Sequence, residues 1–542
     1  MAAAVRVSVS ARALERFRDA LGADGVVSDR DALGEFRDPY AYPSWEEHTA
    51  SAMVMPRSVE QVQAVLRIAG ECGVSLWTFS QGRNYGYGGP APRVGGSVLV
   101  NLRGLDRILE INEELAYALV EPGVRFFDLY EAIGQAGYRL WPSIPDLGWG
   151  SIVGNTLDHG VGFTPLGDHP TRQCGMEVVL ADGDVLRTGM GGVSGSRAWQ
   201  TAKRGFGPSL DSLFMQSNFG IVTKMGVWLM PEPECYASCT VRVPREEDLA
   251  PLVDTVRSLL LQRIIENTPI TYNMVLVAGA MSGVGREHWY EGEGAMTDQA
   301  LARMADTSGV GWWIVRFALY GREELVDANY EICRAAFERI PGARVERRTY
   351  EGSKIRDRFG EPTAPPEPGY RDPVEALGVQ SDRTQAGVPG LELLDSLSWD
   401  ETGGHLDYSP IGNMVGEEAL AQSRLLRRVC AEHGFDYAAS LMMSPRSFIN
   451  IVSLWFDLRD EAQVRNAYDF VRVLIKRCGP EGYAPYRTHL AFMDDAAELF
   501  DWGDHAQRRF LSKLKDALDP AGIMSPGKQG IWPQDMGPRT RH

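Results

Sequence analysis

The segment PDLGWGSIVGNTLDHGVGFTPLGDH, residues 145–169, carries the strongest backbone constraint in the chain. Five glycines from Gly148 to Gly162 stand among apolar residues, so the backbone here must pass close to another group. Asp146 lies at the start of this run, between a proline and a leucine. A carboxylate in apolar company most often caps a turn, and the residues alone favour that interpretation. The glycines therefore predict a segment that is tightly packed rather than exposed.

Another glycine-rich run, SQGRNYGYGG at residues 80–89, directly follows the predicted strand VSLWTF at 74–79. In chain order this run is the first glycine loop, and residues 145–169 are the second glycine segment. A dinucleotide-binding loop of the GxGxxG type would open a helix, but Pro90 and Pro92 prevent a helix from continuing here. Successive glycines can instead turn several backbone N–H groups into one concavity that holds a pyrophosphate. A mobile surface turn is the competing interpretation, and composition leaves both open.

Two shorter segments carry side chains suited to chemistry. GYAPYRTH at 482–489 places Tyr486 beside Arg487, and an O–H donor next to a guanidinium fork suits an anionic oxygen. GGHLDYSP at 403–410 places His405 after two glycines, so that a large flat group could approach the imidazole. An isolated Tyr-Arg pair is weak support, and a single histidine is more often a satisfied core residue.

Short strands and glycine turns dominate the first 230 residues. Ser58 caps a predicted helix that runs through residues 59–69 and closes at Cys72 and Gly73. Further strands of this half are predicted at 97–102, 117–124, 176–189 and 220–230.

Beyond residues 231–234 the pattern changes to amphipathic helices that alternate with strands. The helices are predicted near 245–262, 322–340 and 416–433, and the strands at 240–244, 312–321 and 449–457. This alternation predicts a separate antiparallel sheet covered by helices, and an α+β fold for the chain. The Pro- and Gly-rich segment 360–395 is predicted to be a long loop or surface excursion.

Composition limits the class of protein. A chain of 542 residues is expected to form two large domains. Its 72 acidic and 55 basic residues give a formal charge of −17, which argues against nucleic acid or an anionic membrane surface as a partner. Nowhere do about 18 apolar residues follow one another, so the sequence predicts no membrane span. The seven scattered cysteines lack the spacing of a metal site and predict reduced thiols in a cytoplasmic protein.

Together the motifs resemble the vanillyl-alcohol oxidase and para-cresol methylhydroxylase family of flavoproteins, especially its eugenol- and vanillyl-alcohol-oxidising members. The resemblance extends from about residue 36 to the end of the chain. Berberine-bridge-type flavoenzymes fit less well, because no cysteine stands where their second flavin tether would be. The motifs that carry the resemblance, in chain order, are GRNxGYGGxAPR (82–93), PDLGWGS (145–151), VGNTLDHGVGFTPLGDH (153–169), MEVVLADG (176–183), SNFGIVTKMG (217–226), GGHLDYSP (403–410), YRTHLAFMD (486–494) and DPAGIMSPGKQGIWP (519–533).

The resemblance implies a two-domain flavoprotein. Residues 1–234 and 485–542 would form the FAD-binding domain, and residues 235–484 would form a cap over the substrate. His405 would carry the flavin covalently, which would raise the reduction potential of the ring. The other residues expected to bind FAD are Ser80, Gly82, Arg83, Asn84, Tyr85, Gly86, Gly88, Gly89, Ser151, Gly154, Asn155, Ile221 and Lys528.

The resemblance also implies a reaction. A 4-alkylphenol, 4-allylphenol or 4-hydroxybenzyl alcohol would bind as phenolate between Tyr87, Tyr486 and Arg487, because donors and positive charge lower the pKa of a phenol. Hydride transfer from the benzylic carbon to flavin N5 would leave a para-quinone methide, which then takes up water or desaturates. Asp146 would balance charge and deprotonate the water. Oxygen would reoxidise the flavin and give hydrogen peroxide, and the enzyme would be a homodimer.

Two alternatives stay open at this point. Relatives that share these motifs include dehydrogenases that pass electrons to a cytochrome or another acceptor. Other flavoproteins of this fold bind flavin without this chemistry, or oxidise carbohydrates or other alcohols. A carbohydrate has no use for the phenolate clamp that Tyr87, Tyr486 and Arg487 would form. The retained tyrosines and arginine therefore favour a phenol as the substrate.

Four residues depart from the family pattern around the expected pocket. Phe163 and Leu166 stand where relatives often carry tyrosine, and Ile449 and Asn450 replace a pair of histidines. A pocket with fewer polar partners predicts a preference for 4-alkyl- or 4-allylphenols over 4-hydroxybenzyl alcohols. Asp407 comes two residues after the expected flavin tether, a spacing that predicts the same side of a strand. It is a candidate to activate that histidine, and a plain surface role is the alternative.

Overall fold

The computed structural model of the protein describes residues 9–40, 48–84, 86–359, 369–396, 398–399 and 402–536. Within these ranges no helix is both long and apolar enough to cross a membrane. The strands are β1 (Val26–Val27), β2 (Ala52–Val54), β3 (Leu76–Phe79), β4 (Val98–Asn101), β5 (Ile108–Asn112), β6 (Tyr117–Val120), β7 (Leu140–Trp141), β8 (Gln173–Val179), β9 (Val185–Arg187), β10 (Ile221–Trp228), β11 (Met230–Pro231), β12 (Cys235–Val243), β13 (Ile270–Asn273), β14 (Trp313–Gly321), β15 (Arg344–Glu351), β16 (Gly403–Tyr408), β17 (Ile411–Asn413), β18 (Ala438–Met443) and β19 (Ser447–Asp457).

The α-helices alternate with these strands along most of the chain. They are α1 (Ala11–Leu21), α2 (Arg30–Gly34), α3 (Val59–Cys72), α4 (Phe126–Gln135), α5 (Ile152–Leu157), α6 (His169–Arg172), α7 (Leu249–Leu261), α8 (Met274–Met281), α9 (Asp298–Thr307), α10 (Glu323–Phe337), α11 (Ile355–Phe359), α12 (Pro373–Thr384), α13 (Gly416–Glu432), α14 (Glu461–Cys478), α15 (Met493–Glu498) and α16 (Trp502–Leu518).

The first sheet has the strand order β1-β2-β4-β3, with β2, β4 and β3 parallel. Helix α3 buries Val62 and Leu66 in the core on this sheet. Ser58 caps the helix by accepting a hydrogen bond from the Gln61 N–H at 3.3 Å, and Gly73 ends it with a φ of 63°. The helix predicted from the sequence is thereby confirmed, and it positions β3, which leads into the first glycine loop.

The second sheet of this half is antiparallel, in the order β5-β6-β10-β8-β9. Helices α4 and α5 bury Phe126, Leu129 and Ile152 in its core. Helix α5 lies inside the glycine-rich segment 145–169, and its N-cap is Ser151, whose hydroxyl accepts a hydrogen bond from the Gly154 N–H at 2.9 Å. The cap of α5 and the core of this sheet therefore fix the second glycine segment.

The middle of the chain forms an antiparallel sheet in the order β15-β12-β14-β13-β18-β19-β16, with β17 beside β19. Helices α7, α10, α13 and α14 pack on the face that contains Val315. Helices α8, α9 and α12 pack on the opposite face, which contains Ile314. The predicted antiparallel sheet covered by helices is thus confirmed, with helices on both faces.

The end of the chain returns to the first sheet. The Leu76 N–H donates a hydrogen bond to the Ile523 carbonyl at 2.7 Å. The fully buried Lys515 of α16 donates to the carbonyl oxygen of Asn218 at 2.9 Å, next to β10. These contacts support our proposed division into an FAD-binding domain (1–234 and 485–542) and a cap (235–484).

The prediction of a long loop over 360–395 is wrong for part of that segment. Residues 373–384 form helix α12, and Asp372 caps it by accepting hydrogen bonds from the N–H groups of Val374 and Glu375. Its C-terminal end, residues 380–385, is buried in the protein. The prolines suggested a loop, but Asp followed by Pro is also a favoured helix start. The part of this prediction that covers 360–368 lies outside the described residues.

Candidate active site

A central cavity of about 400 Å³ lies where the two glycine segments meet the cap. Strand β3 leads to residues 80–84 in its wall, and most of residues 145–158, which follow β7, line it as well. The cap contributes residues from β13, α8, α12 and β19. The cavity therefore draws its walls from parts of the chain that are far apart in sequence.

Tyr87, Tyr486 and Arg487 meet in this cavity. The Arg487 guanidinium carbon lies 4.2 Å from the centre of the Tyr87 ring and 5.1 Å from that of Tyr486. Ser409 joins the two tyrosines, because its hydroxyl lies 3.1 Å from the Tyr87 hydroxyl and its carbonyl accepts the Tyr486 N–H at 3.2 Å. Gln216 fixes the segment further by donating to the Tyr486 carbonyl at 2.9 Å. The guanidinium thus lies over both aromatic rings. Hydrogen bonds fix the Tyr87 hydroxyl and the backbone of Tyr486.

Burial keeps the clamp tyrosines protonated. It raises the pKa of Tyr87 above its ordinary value, and the charge of Arg487 opposes the change only in part. Burial raises the pKa of Tyr486 even further. Although burial would lower the pKa of Arg487, the two tyrosines raise it above its usual range. At neutral pH the cluster therefore offers two neutral O–H donors and one fixed positive charge.

Asp146 faces the same cavity from the start of the second glycine segment. Burial raises the pKa of its carboxyl to about 7, while a hydrogen bond from the Gln380 amide at 3.1 Å opposes the rise. A carboxyl group with a pKa near neutrality can both release and take up a proton under ordinary conditions. The turn-capping role that composition favoured is therefore replaced by a buried titratable group in the cavity wall.

His405 lies on β16 with its side chain in the cavity wall and is 1% exposed. Its Nε2 atom is 3.8 Å from Oδ2 of Asp407, and Oδ1 of Asp407 accepts a hydrogen bond from the Ser453 hydroxyl at 2.7 Å. The prediction that the two residues share one side of the strand is confirmed. Burial lowers the pKa of His405, although Asp407 opposes this, so the imidazole is neutral at pH 7.

The first glycine loop lies directly against this histidine. A Cβ atom on Gly86 would stand 2.8 Å from both His405 Nε2 and Asp407 Oδ2, so any side chain there would collide with them. Gly86 and Gly88 also have φ angles of 73° and 105°, in the left-handed region that favours glycine. The loop is thus a tight backbone cradle, and the alternative of a mobile surface turn does not fit it.

The second glycine segment is equally close to its neighbours. A Cβ atom on Gly154 would lie 2.2 Å from the Ser80 hydroxyl, and one on Gly160 would lie 2.0 Å from the Asn155 side-chain oxygen. His169 holds Asn155 through a 2.6 Å hydrogen bond. The close approach predicted from the glycines therefore includes the first glycine loop itself.

The structure brings most of the predicted cofactor residues to the cavity wall. Tyr85 lies outside the described residues, Gly86 lies beside His405, and Gly88 lies against Leu490. The predicted residues that line the cavity are Ser80, Gly82, Arg83, Asn84, Gly89, Ser151, Gly154, Asn155, Ile221, His405 and Lys528.

The predicted substrate residues need correction. Phe163 lines the cavity, but Leu166 and Ile449 line a neighbouring depression instead. Asn450 is fully buried elsewhere and donates a hydrogen bond to Gln422 of α13 at 3.1 Å. Side chains alternate along β19, so Asn450 faces the helix-covered core while its neighbour Ile451 faces the cavity.

Several cavity residues were missed from the sequence. Helix α8 contributes Leu276, Val277 and Ala280, which form an apolar wall. The run Met274–Met281 is apolar on every side, so the sequence predicts a buried segment but not which of its faces lines the cavity. Gln380 of α12 and Tyr272 of β13 also line the cavity, and no local pattern marks them.

Comparison with known proteins assigns the chain to a family. Residues 50–189 match the model of an FAD-binding domain, and residues 422–529 match that of the C-terminal domain of FAD-linked oxidases. The chain is 35% identical to the flavoprotein subunit of 4-cresol dehydrogenase (hydroxylating) from Pseudomonas putida, over 96% of this chain and 95% of that protein. It belongs to the vanillyl-alcohol oxidase and para-cresol methylhydroxylase family.

Solved structures with this fold agree with that family. The 4-ethylphenol oxidase from Gulosibacter chungangensis, in complex with isoeugenol, has a TM-score of 0.90 at 39% identity and covers 98% of this chain and 99% of its own. Substrate-bound p-cresol methylhydroxylase has a TM-score of 0.88 at 34% identity, with 96% of both chains covered. The expected two-domain FAD-binding oxidase fold is thereby confirmed.

The described residues fit the FAD that this family binds. The glycine loop offers backbone without side chains, and Asn155 and Lys528 add polar groups to the same wall. A neutral, buried imidazole lies beside the loop at His405. The cavity therefore combines a cofactor cradle with a cluster of donors and a titratable carboxyl group.

Proposed function

We propose that the protein oxidises para-substituted phenols with a covalently bound FAD and uses oxygen as the electron acceptor. The observation that carries this proposal is the meeting of Tyr87, Tyr486 and Arg487 in the cavity that Asp146 also faces. The similar proteins are a 4-cresol dehydrogenase subunit and a 4-ethylphenol oxidase, which supports the same class of substrate.

The clamp binds the substrate as phenolate. Two O–H donors and the guanidinium charge stabilise the phenolate oxygen far more than the neutral phenol, so they lower the substrate's pKa. The ionised oxygen pushes electron density through the ring toward the para carbon substituent. FAD, when bound, supplies the acceptor for the hydride that leaves the benzylic carbon. The substrate then remains as a para-quinone methide.

Asp146 balances charge during hydride transfer and then acts as the base in the second half of the reaction. A pKa of about 7 lets the carboxylate accept a proton from the water that adds to the quinone methide. Where the substituent carries a second hydrogen-bearing carbon, loss of a proton from that carbon gives an alkene instead. Hydroxylation and desaturation thus use the same clamp and the same carboxylate.

A substrate panel tests this function. Purified protein in air is mixed with 4-methylphenol, 4-ethylphenol, 4-propylphenol and vanillyl alcohol, while flavin bleaching and peroxide are followed together. Bleaching with one peroxide formed per turnover is expected. Absence of bleaching with every phenol would contradict the proposed function. Bleaching without peroxide would instead favour a dehydrogenase, which the name of the Pseudomonas putida relative makes the second candidate.

We also propose that His405 is the covalent flavin tether. Its imidazole is neutral at pH 7 and can act as a nucleophile, and Asp407 at 3.8 Å is placed to accept its proton. Acid-precipitated protein is expected to stay yellow and to fluoresce on a denaturing gel, and His405→Ala should release its flavin. His433→Ala, at a histidine outside the cavity wall, is the matched control. Flavin that washes out of the acid-treated wild type would contradict the tether.

A further inference from the structure

We propose that Gln380 is a positioning residue for Asp146, and that its amide holds the carboxylate in the cavity and stabilises the charged form. The Gln380 Nε2 atom donates to Oδ1 of Asp146 at 3.1 Å, across 234 positions of sequence. Gln380 is itself 7% exposed and lines the same cavity. The inference rests on the proposed function only for the role of Asp146 in the reaction.

The contact is held from both ends. The Gly148 N–H donates to the Gly390 carbonyl at 3.0 Å, which ties the segment bearing Asp146 to the chain that follows α12. Asp382, on the same helix as Gln380, accepts hydrogen bonds from Arg316 and Arg348, both at 2.8 Å. Both arginines belong to strands of the cap sheet, so the helix cannot shift without breaking the ion pairs of its buried carboxylate. The amide is therefore fixed in place before a substrate binds.

The surroundings of Asp146 make this donor important. The titratable groups that face it are Glu392 and Tyr272. Glu392 forms an ion pair with Arg383, and burial raises the pKa of Tyr272 well above 10, so that Tyr272 is neutral. Burial disfavours the carboxylate, whereas the Gln380 amide and the backbone N–H of Asp146 itself favour it. Without the amide, the pKa of Asp146 would rise and less of the carboxylate would form at neutral pH.

The first test is the pH dependence of anaerobic flavin reduction. Gln380→Met keeps the length of the side chain but has no donor. In this variant the pH at which the rate rises should be higher by roughly one pH unit than in the wild type. The rate should recover at high pH, because the carboxylate still forms there. Gln380→Glu should move the rise further, since a second carboxyl group disfavours the charge on Asp146. Gln385→Met is the matched control. Gln385 is also buried and directly follows α12, but its side-chain oxygen accepts a hydrogen bond from the Ser238 hydroxyl instead.

A merely structural role for Gln380 would lower the rate of Gln380→Met equally at every pH. That outcome, or a pH profile identical to the wild type, would overturn the inference. A matching shift in Gln385→Met would overturn it as well, because the effect would then not depend on the contact with Asp146.

The second test needs no substrate. A buried carboxyl group with a raised pKa destabilises the folded holoenzyme increasingly as pH rises from about 4 through 7. Asp146→Asn should therefore raise Tm at pH 8, and by roughly 2 °C more in the Gln380→Met background than in the wild type. At pH 4.5 the two backgrounds should respond alike. Equal responses at pH 8 would overturn the inference, whereas coupling without phenol-dependent reduction would support it and overturn the proposed function.

Discussion

At the scale of single residues, Arg487 contributes both charge and shape to the clamp. Its planar guanidinium stacks on Tyr87 and Tyr486, which lysine cannot reproduce. Arg487→Lys should therefore lower kcat/KM for 4-ethylphenol by about 10- to 100-fold, or roughly 1.5–3 kcal/mol of transition-state binding. Steady-state kinetics measure this, with the partly exposed Arg472→Lys as the control. Wild-type kinetics in Arg487→Lys would remove the arginine from the clamp.

Asp146 is the residue whose ionisation should control the rate. Asp146→Asn is expected to slow anaerobic flavin reduction by roughly 10²–10⁴-fold while substrate affinity changes little. Because burial raises the carboxyl pKa to about 7, the wild-type rate should rise with pH through that value, and the variant should lose this rise. Stopped-flow reduction from pH 5 to 9 measures both effects, with the exposed Asp182→Asn as the control. A variant that is reduced as fast as the wild type would contradict the assignment.

Single residues were predictable where local geometry decides their placement. His405 and Asp407 share a face because strand side chains alternate, and the structure confirms this. The predicted position of Asn450 is wrong because alternation does not say which face of β19 points to the cavity. That choice depends on the packing of the whole sheet. Gln380 could not be predicted at all, since its contact with Asp146 depends on tertiary structure alone.

At the scale of elements, α8 should set which para substituents fit. Leu276, Val277 and Ala280 lie on the cavity side of this helix and offer no hydrogen-bonding groups. We therefore expect these three residues to favour alkyl substituents, whose burial contributes about 0.8 kcal/mol per CH₂ to binding. The sequence attributed that preference partly to Leu166, Ile449 and Asn450, but these residues do not line the cavity.

Ala280→Leu tests the α8 wall. The larger side chain should occupy cavity space and lower kcat/KM for 4-propylphenol about 10-fold relative to 4-methylphenol, because overpacking a filled site costs about 1–3 kcal/mol. The short substrate in the same variant is the internal control for folding and flavin content. Leu276→Ala should shift the preference the other way, toward longer chains. Equal losses for short and long substrates would show that α8 does not contact the substituent.

Helix α12 shows why elements can be missed. Its flanks are rich in proline and glycine, and the local pattern therefore favoured a loop. The helix forms because Asp372 and Pro373 start it well and because Arg316 and Arg348 fix its buried Asp382 against the cap sheet. Long amphipathic helices such as α3 needed no such tertiary support to be recognised. Tertiary ion pairs thus help to make the segment that carries Gln380 helical.

At the scale of the whole molecule, a buried group joins three distant parts of the chain. Asp38 precedes the glycine loops, Tyr468 belongs to α14 of the cap, and His489 follows the clamp arginine. The His489 Nε2 atom lies 2.5 Å from Asp38 Oδ2, and the Tyr468 hydroxyl lies 3.3 Å from the same oxygen. All three side chains are buried. The group therefore links the cap to both chain segments of the proposed FAD-binding domain.

This buried group should make the stability of the protein depend on pH. Although burial alone would raise it, His489 lowers the pKa of Asp38 below its ordinary value. A lowered carboxyl pKa contributes stability that is present above the unfolded value near 4 and is lost as pH falls through the folded value. Asp38→Asn breaks a buried pair and should cost about 3 kcal/mol at pH 7. The difference in Tm between wild type and Asp38→Asn should therefore be largest at neutral pH and shrink below about pH 4. Thermal unfolding of the holoenzyme from pH 3 to 8 measures this, with the exposed Asp469→Asn as the control, since its ion pair with Arg472 lies at the surface. A constant difference at every pH would show that Asp38 acts through packing and not through its charge.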